Sequence, residues 1–341
     1  MKHVMKRIFL LFFFFLPLLL SAAPAPVEEG DGNEAVVEKE AAANEESKKF
    51  DWHLNLRGRV SLATENRDFL FKCDYLRVQL TGTFAKHFFF RFRQRFNKAI
   101  TDGNYLSATD YLYLSWRKND WEILGGKTYV ACGGFEYQAT SYDIYIRPAF
   151  FSGLSGMYNY ALNGARHFKN ETLWLQVSNS LYSNRASNLL GYSILLQGRQ
   201  GVWQHSWSVN AFERAKGHYN FYVCLGNRFH IGEIAFVDLG LVHRLDLDRP
   251  TFFKDFSAVT KFKVRATEWM RIFGKATWDY KQSGIEDPML PDGTDSWQAG
   301  CGLEFFPVPH SEMVRLHLVY FNRDGALNCV LAGVGLNLDL R

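Results

Sequence analysis

Hydrophobic and polar residues alternate along most of the chain from Phe50 onward. In FDWHLNLRGRVSL, residues 50–62, one face collects Phe50, Trp52, Leu54, Leu56, Val60 and Leu62. The other face collects Asp51, His53, Asn55, Arg57, Arg59 and Ser61. A period of two is the period of a β-strand, whose successive side chains point to opposite faces. The same dyad sets Leu76, Val78 and Leu80 against Arg77, Gln79 and Thr81, and Phe262 and Val264 against Lys261, Lys263 and Arg265. It sets Met270, Ile272, Ala276 and Trp278 against Arg271, Lys275 and Asp279, and returns through Val330, Ala332, Val334, Leu336, Leu338 and Leu340. Helical periodicity is nowhere sustained.

This pattern predicts strands near residues 50–63, 69–84, 87–98, 105–117, 120–127, 156–166, 171–180 and 190–199, then near 202–213, 218–228, 233–244, 257–266, 269–281, 297–306, 313–322 and 328–340. That is sixteen, an even number, and the longest connections expected between them, 128–155, 245–256 and 282–296, all follow odd-numbered strands. Brief links such as Ala85-Lys86, Lys118-Asn119 and Thr267-Glu268 follow even ones. Long loops at one end and short turns at the other are the layout of an outer-membrane barrel. A soluble sandwich also alternates, but it does not need so many strands whose aromatic faces have no second sheet to cover them. The expected fold is therefore all-β: a transmembrane antiparallel β-barrel of about sixteen strands over residues 50–341, with short periplasmic turns and longer external loops.

HFFFRFRQRFN, residues 87–97, shows what such a wall separates. Phe88, Phe90, Phe92 and Phe96 share one face of a strand, and Arg91, Arg93 and Arg95 the other. On a helix the arginines would scatter around the wheel; on a strand they form a ladder with steps of about 6.6–7 Å. Lipid outside and water inside account for both faces.

The start of the chain fits export. Lys2, Lys6 and Arg7 precede an apolar run from Ile8 to Leu20, and the small residues SAAPA follow. This is the build of a secretory signal peptide, residues 1–23, with cleavage after Ala23 or Ala25. The run is short of the roughly 20 residues a spanning helix needs. Residues 24–49 carry eight acids against three lysines and no aromatic residue, and read as an acidic disordered leader. The whole chain has net charge +4; with the +3 signal and the −5 leader set aside, the barrel region carries +6.

Those positive charges concentrate on the inward faces. The first three strands and the twelfth and thirteenth present Arg57, Arg59, Arg77, Arg91, Arg93, Arg95, Lys261, Lys263, Arg265, Arg271, Lys275 and Lys281 inward, against Asp51 and Asp279. Basic rings select anions or phosphate, because a charged track in a low-dielectric wall concentrates the opposite charge. The competing reading pairs these bases with acids on other strands, such as Glu122, Asp238 and Glu304. The connection containing CGGFEYQATSYDIYIRP, residues 132–148, is too long for a hairpin link and too aromatic for a plain solvated loop. It either folds inward as a constriction, with Tyr137, Tyr142, Tyr145 and Arg147 as the residues of interest, or caps the barrel from outside.

Other chemistries find little purchase. The sequence has no GxSxG, HExxH or P-loop, and Gln204-His205-Ser206 and Ser178-Asn179-Ser180 lack the pattern of a barrel phospholipase. Five scattered cysteines form neither CxxC nor a Cys/His cluster, so no metal site, no cofactor and no disulfide framework is expected. Export makes nucleic acid an improbable partner.

The signal peptide, the strand count, the arginine ladder and the segment WEILGGKTYVACGGFEYQ, with Gly126-Lys127 and Gly134-Phe135-Glu136, resemble the phosphate-selective porin O and P family of Gram-negative outer membranes. The resemblance implies a homotrimeric channel in outer-membrane lipid, delivered by the outer-membrane assembly machinery. It also implies passage of small anionic solutes, phosphate or polyphosphate foremost, along a route lined by Arg91, Arg93 and Arg95 and, further, by Arg57 and Arg59. The long connection after the fifth strand holds the place of the third external loop, which in sixteen-stranded porins narrows the barrel. Two other functions stay open: a general or carbohydrate-type pore using lumen aromatics such as Tyr111 and Tyr113, and a non-conducting barrel serving as adhesin or scaffold.

Overall fold

The computed structural model describes residues 50–65, 68–98, 105–139, 143–146, 148, 158–183, 188–246, 253–284, 293–308, 310–325 and 327–340. The expected signal peptide and acidic leader lie outside them. The described chain closes into one antiparallel barrel of sixteen strands. In chain order these are β1 (Phe50–Glu65), β2 (Asp68–Phe84), β3 (Phe88–Arg95), β4 (Thr109–Lys118), β5 (Trp121–Tyr129), β6 (Tyr158–His167), β7 (Glu171–Asn179) and β8 (Leu190–Gln200). The second half comprises β9 (Trp203–Ala215), β10 (His218–Ile231), β11 (Ala235–Asp246), β12 (Asp255–Thr267), β13 (Met270–Lys281), β14 (Asp295–Phe305), β15 (Val314–Arg323) and β16 (Leu327–Leu340). A single helical turn, α1 (Phe135–Gln138), lies in the connection after β5.

Every strand pairs with its sequence neighbours, and β1 pairs with β16 from Leu54 opposite Leu340 to Thr64 opposite Val330. Lipid cannot hydrogen-bond a free strand edge, and closure removes the edge. Among the described residues no helix is long and apolar enough to cross a membrane; the crossing elements are strands.

The strands lie within a few residues of their expected places. The largest shift is at β4, because Tyr105–Ala108 winds into a turn of 3-10 helix and the strand starts only at Thr109. The connection at 96–108 therefore joins the long ones, 130–157, 247–254 and 282–294, at the end away from the strand termini at Phe50 and Leu340. Links at the other end are brief, as at 119–120, 201–202 and 268–269, apart from 306–313.

Burial alternates as the sequence does. Leu112, Leu114, Ile123, Leu162, Leu175, Ile194, Phe262 and Leu318 are exposed on the outer wall, while their neighbours Tyr111, Tyr113, Glu122, Asn163, Gln176, Ser193, Lys263 and His317 are buried inside. This is the inverse of a soluble core: apolar residues outside, polar and charged residues within. A basic residue placed on the lipid face near mid-membrane costs about 2–4 kcal/mol. Ile194 stands mid-strand on β8 and is 52% exposed. Ile194→Arg should destabilise the barrel folded in lipid vesicles by about that amount, with Ile194→Val as the control that keeps the face apolar; urea titration in vesicles measures both.

Candidate functional site

The arginine ladder of β3 points into the barrel. Arg91 and Arg93 are 6% and 3% exposed, Arg95 is half-buried, and Arg77 of β2 stands opposite Arg95 in register, 1% exposed. Aromatic rings hold these cations apart. The Tyr111 ring lies between two of them, with the Arg91 guanidinium carbon 4.0 Å and that of Arg93 4.2 Å from its centroid. The Tyr75 ring lies beside Arg77 and Arg95, each guanidinium carbon 5.5 Å from its centroid. A planar, weakly hydrated guanidinium can stack on a ring and still present its edge donors, which an ammonium cannot do. Arg91 donates from Nη2 to Gln79 Oε1 at 2.9 Å. Arg93 donates from Nε to Asp110 Oδ2 at 3.1 Å and also to the Tyr158 hydroxyl.

Asp110 reaches Arg93 through an irregularity in the sheet. Arg93 pairs with Tyr111 but Gln94 pairs with Thr109, so Asp110 is the extra residue of a bulge. Strict alternation would send Asp110 to the lipid face with Leu112 and Leu114. The bulge re-aims it inward, where it is 2% exposed.

The connection after β5 runs inside the barrel. Ala131 N–H donates to Gln176 Oε1 at 2.8 Å, and Ala131 O accepts from Asn210 Nδ2 at 2.8 Å. Gly133 N–H donates to Ser208 Oγ at 2.7 Å and Gly134 N–H to Ser206 O at 3.0 Å. Irregular backbone that leaves water needs such partners, and the inward positions of β7 and β9 supply them. Gly134 turns the chain at φ 101°, a region that favours glycine. Tyr137 then packs among Phe212, Tyr222, Val242 and Val259. Farther on, Tyr145 stacks on Phe273, with centroids 5.3 Å apart, and donates to Glu304 Oε1 at 3.1 Å, while Asp143 binds Arg315 at 2.8 Å. Of the four candidate constriction residues, Tyr137 and Tyr145 are thus inside; Tyr142 and Arg147 lie outside the described residues.

The second basic group is compensated. Lys263 Nζ lies 3.1 Å from Glu304 Oε2, Arg315 Nη1 lies 3.2 Å from Glu304 Oε1, and Lys275 binds Glu136 and the Ile146 carbonyl. Lys261 sits over the Phe236 ring at 5.3 Å. Lys261, Lys263, Lys275, Glu136 and Glu304, with Asp143 and Tyr145, line a cavity of about 20 Å³, room for roughly one water. Asp238 is likewise committed, bidentate to Arg228 at 2.6 and 2.9 Å. Glu304 on β14 and Glu136 in the in-folded connection therefore answer Lys263 and Lys275, whereas Asp238 answers Arg228 on β10.

The candidate basic residues do not form one group. Arg77, Arg91, Arg93 and Arg95 share one wall, and Lys261, Lys263 and Lys275 share another, five to seven strands away around the ring of sixteen. Arg265, donating to Glu233 O at 3.2 Å, and Arg271, bound to Glu312, sit by the short turns. Arg57 and Arg59 pair in register with Arg77 and Tyr75, but their side chains lie outside the described part of the structure. The hydrolase fragments do not assemble: His205 packs between Trp203 and Trp207 on the outer wall, and Ser206 faces inward to Gly134 and Gln138.

Residues 49–203 match the sequence model of the family described as phosphate-selective porin O and P. Solved structures share the fold at low identity. The outer-membrane channel DcaP of Acinetobacter baumannii is 13% identical, with TM-score 0.61 over 85% of this chain and 97% of its own. OmpT, an outer membrane protein of Vibrio cholerae, is 9% identical, with TM-score 0.59 over 86% of this chain and 99% of its own. A mutant of the Rhodopseudomonas blastica porin is 12% identical, with TM-score 0.55 over 84% of this chain and 100% of its own. No curated protein matches the chain.

The glycine pair that carries the connection past β9 leaves no room for a side chain. A methyl group built on Gly133 would stand 2.7 Å from Ser206 O and 2.8 Å from Ser208 N, both fixed in the sheet. Gly133→Ala should therefore lift this segment off the wall while the barrel persists. Loss of an amide hydrogen bond of about 1 kcal/mol corresponds to roughly fivefold faster hydrogen exchange, measurable at the amides of residues 133 and 134 against unchanged protection in β9.

Proposed function

We propose that this chain, a porin of the bacterial outer membrane whose residues 49–203 match the phosphate-selective porin O and P family model, is a passive diffusion channel that prefers anions. The observation that carries the reading is the guanidinium ladder on β2 and β3, two cations to each tyrosine ring. An anion moving along the wall meets donors at steps of about 7 Å, and planar guanidinium edges match phosphate through paired hydrogen bonds. Phosphate or polyphosphate is the proposed solute, and a homotrimer the proposed assembly, with lipid around it.

The compensated lysines have a different part in this reading. Lys263 and Lys275 hold Glu304 and Glu136, and through them the in-folded connection, so they shape the passage rather than attract solute. Tyr137 and Tyr145 are its constriction residues by the same reasoning. The carbohydrate-type alternative is weaker because Tyr111 and Tyr113 are 4% and 7% exposed, and both faces of Tyr111 are taken by arginine. A sugar needs an open ring.

Selectivity can be tested while the Arg93–Asp110 pair is spared. Arg91→Glu with Arg95→Glu reverses two rungs of the ladder and leaves the outward phenylalanines in place. In planar bilayers under a KCl gradient, the zero-current potential should move strongly toward cation preference, and the shift should shrink at high salt as the screening length falls to about 3 Å at 1 M. A variant that inserts normally and keeps the parent's preference would remove these arginines from the conduction path. A parent protein without conductance would leave the scaffold reading instead.

A further inference from the structure

Two buried cysteines meet where the in-folded connection touches the wall. Cys132, before α1, and Cys224, on β10, are 0% and 1% exposed and belong to one cluster with Val130, Tyr137, Phe212 and Tyr222. The Cys224 thiol lies close enough to Cys132 to influence its ionisation, and donates to Asn210 Oδ1, 3.9 Å away. The backbones are pressed together at this point. A methyl group built on Gly133 would lie 2.9 Å from the Cys224 carbonyl oxygen, and one on Gly226 would lie 2.6 Å from Gly134 Cα. The bonds from Asn210 to Ala131 and from Gly133 to Ser208 fix Cys132 from both sides. The other cysteines are placed elsewhere: Cys73 and Cys301 are exposed, and Cys329 packs with Ile146 and Phe321 in a separate cluster.

We propose that Cys132 and Cys224, thiols in this structure, are joined by a disulfide in the mature protein, fastening the in-folded connection to β10. An outer-membrane protein passes through the periplasm, where disulfides form and persist. The oxidant required is the disulfide of a periplasmic thiol oxidase. The thiolate of one cysteine attacks that disulfide, forming a mixed disulfide and releasing one oxidase thiolate; the thiolate of the second cysteine then attacks the chain's sulfur and displaces the other. The chain loses two protons and two electrons, and the oxidase ends as a dithiol. Burial pushes the Cys132 thiol well above its ordinary pKa, so exchange belongs to the period before the connection is sealed inside. Afterwards the same burial protects the bond from reductants. The wide spacing that hides this pair in the sequence is what lets it tie an internal segment to a distant strand.

The wild-type protein decides the matter. Outer-membrane extracts denatured in excess iodoacetamide without reductant, then digested and analysed by mass spectrometry, should yield Cys73, Cys301 and Cys329 alkylated. They should also yield a peptide linking Cys132 to Cys224 that disappears after dithiothreitol. Recovery of Cys132 and Cys224 mainly as alkylated peptides overturns the proposal, and so does a link from either to another cysteine. Cys224→Ser should abolish the linked peptide and leave Cys132 alkylated; if that variant does not accumulate, the wild-type digest still gives the answer. The outcome is independent of which ions the channel prefers.

Discussion

Every backbone amide in the lipid-facing wall needs a hydrogen-bond partner, and lipid offers none. From this follow the even ring of strands, the pairing of β1 with β16 and the period of two that runs through the whole chain. It also explains the layout of the molecule, since the wall turns most of its apolar residues outward and fills its interior mainly with polar and aromatic side chains. The segment from Ala131 to Gly134 obeys the same rule inside the barrel. It leaves the sheet, yet Gln176, Ser206, Ser208 and Asn210 satisfy its backbone in place of a neighbouring strand.

Charges in such an interior are costly unless something answers them, and the two basic groups are answered differently. The lysines have carboxylates: Glu304 lies within reach of both Lys263 and Arg315, and Glu136 binds Lys275. These contacts anchor an irregular segment to β13, β14 and β15. Beside the arginines of β2 and β3 stand Tyr75, Tyr111, Tyr158 and Gln79, and Asp110 is bound to Arg93.

The barrel was almost wholly legible in the sequence, because strand parity is a local property. Arg91, Arg93 and Phe92 fall on their expected sides, and most strand limits fall within two or three residues of their expected places. Legibility ended where structure depends on contacts across the ring. Glu136, Glu304 and Asp143 carry no mark in the sequence that assigns them to Lys275, Lys263 and Arg315. Asp110 did leave a trace: in TDYLYLSW it is a carboxylate at a lipid-facing position, which a regular strand could not afford. A bulge was the available remedy. The early start expected for β4 erred for a related reason, since Tyr105–Ala108 supplies an aromatic and an apolar residue in alternation yet winds into a helical turn.

The seam between β1 and β16 has a consequence for assembly. Its pairs, such as Leu54 with Leu340, join residues separated by nearly the whole barrel sequence, whereas every other neighbouring pair is a hairpin or a single longer excursion. Hairpins can zip in order as the chain emerges, because each closes a short loop. The seam must wait for the last strand and then overcome the largest chain-entropy barrier in the molecule. Until that moment two long, unpaired edges coexist at opposite ends of a curling sheet, each able to capture the other or the edge of another chain. The same pairing that abolishes the edges in the finished wall therefore makes the nearly finished molecule its most adhesive intermediate, and favours holding the final strand beside the first over any further strengthening of the hairpins.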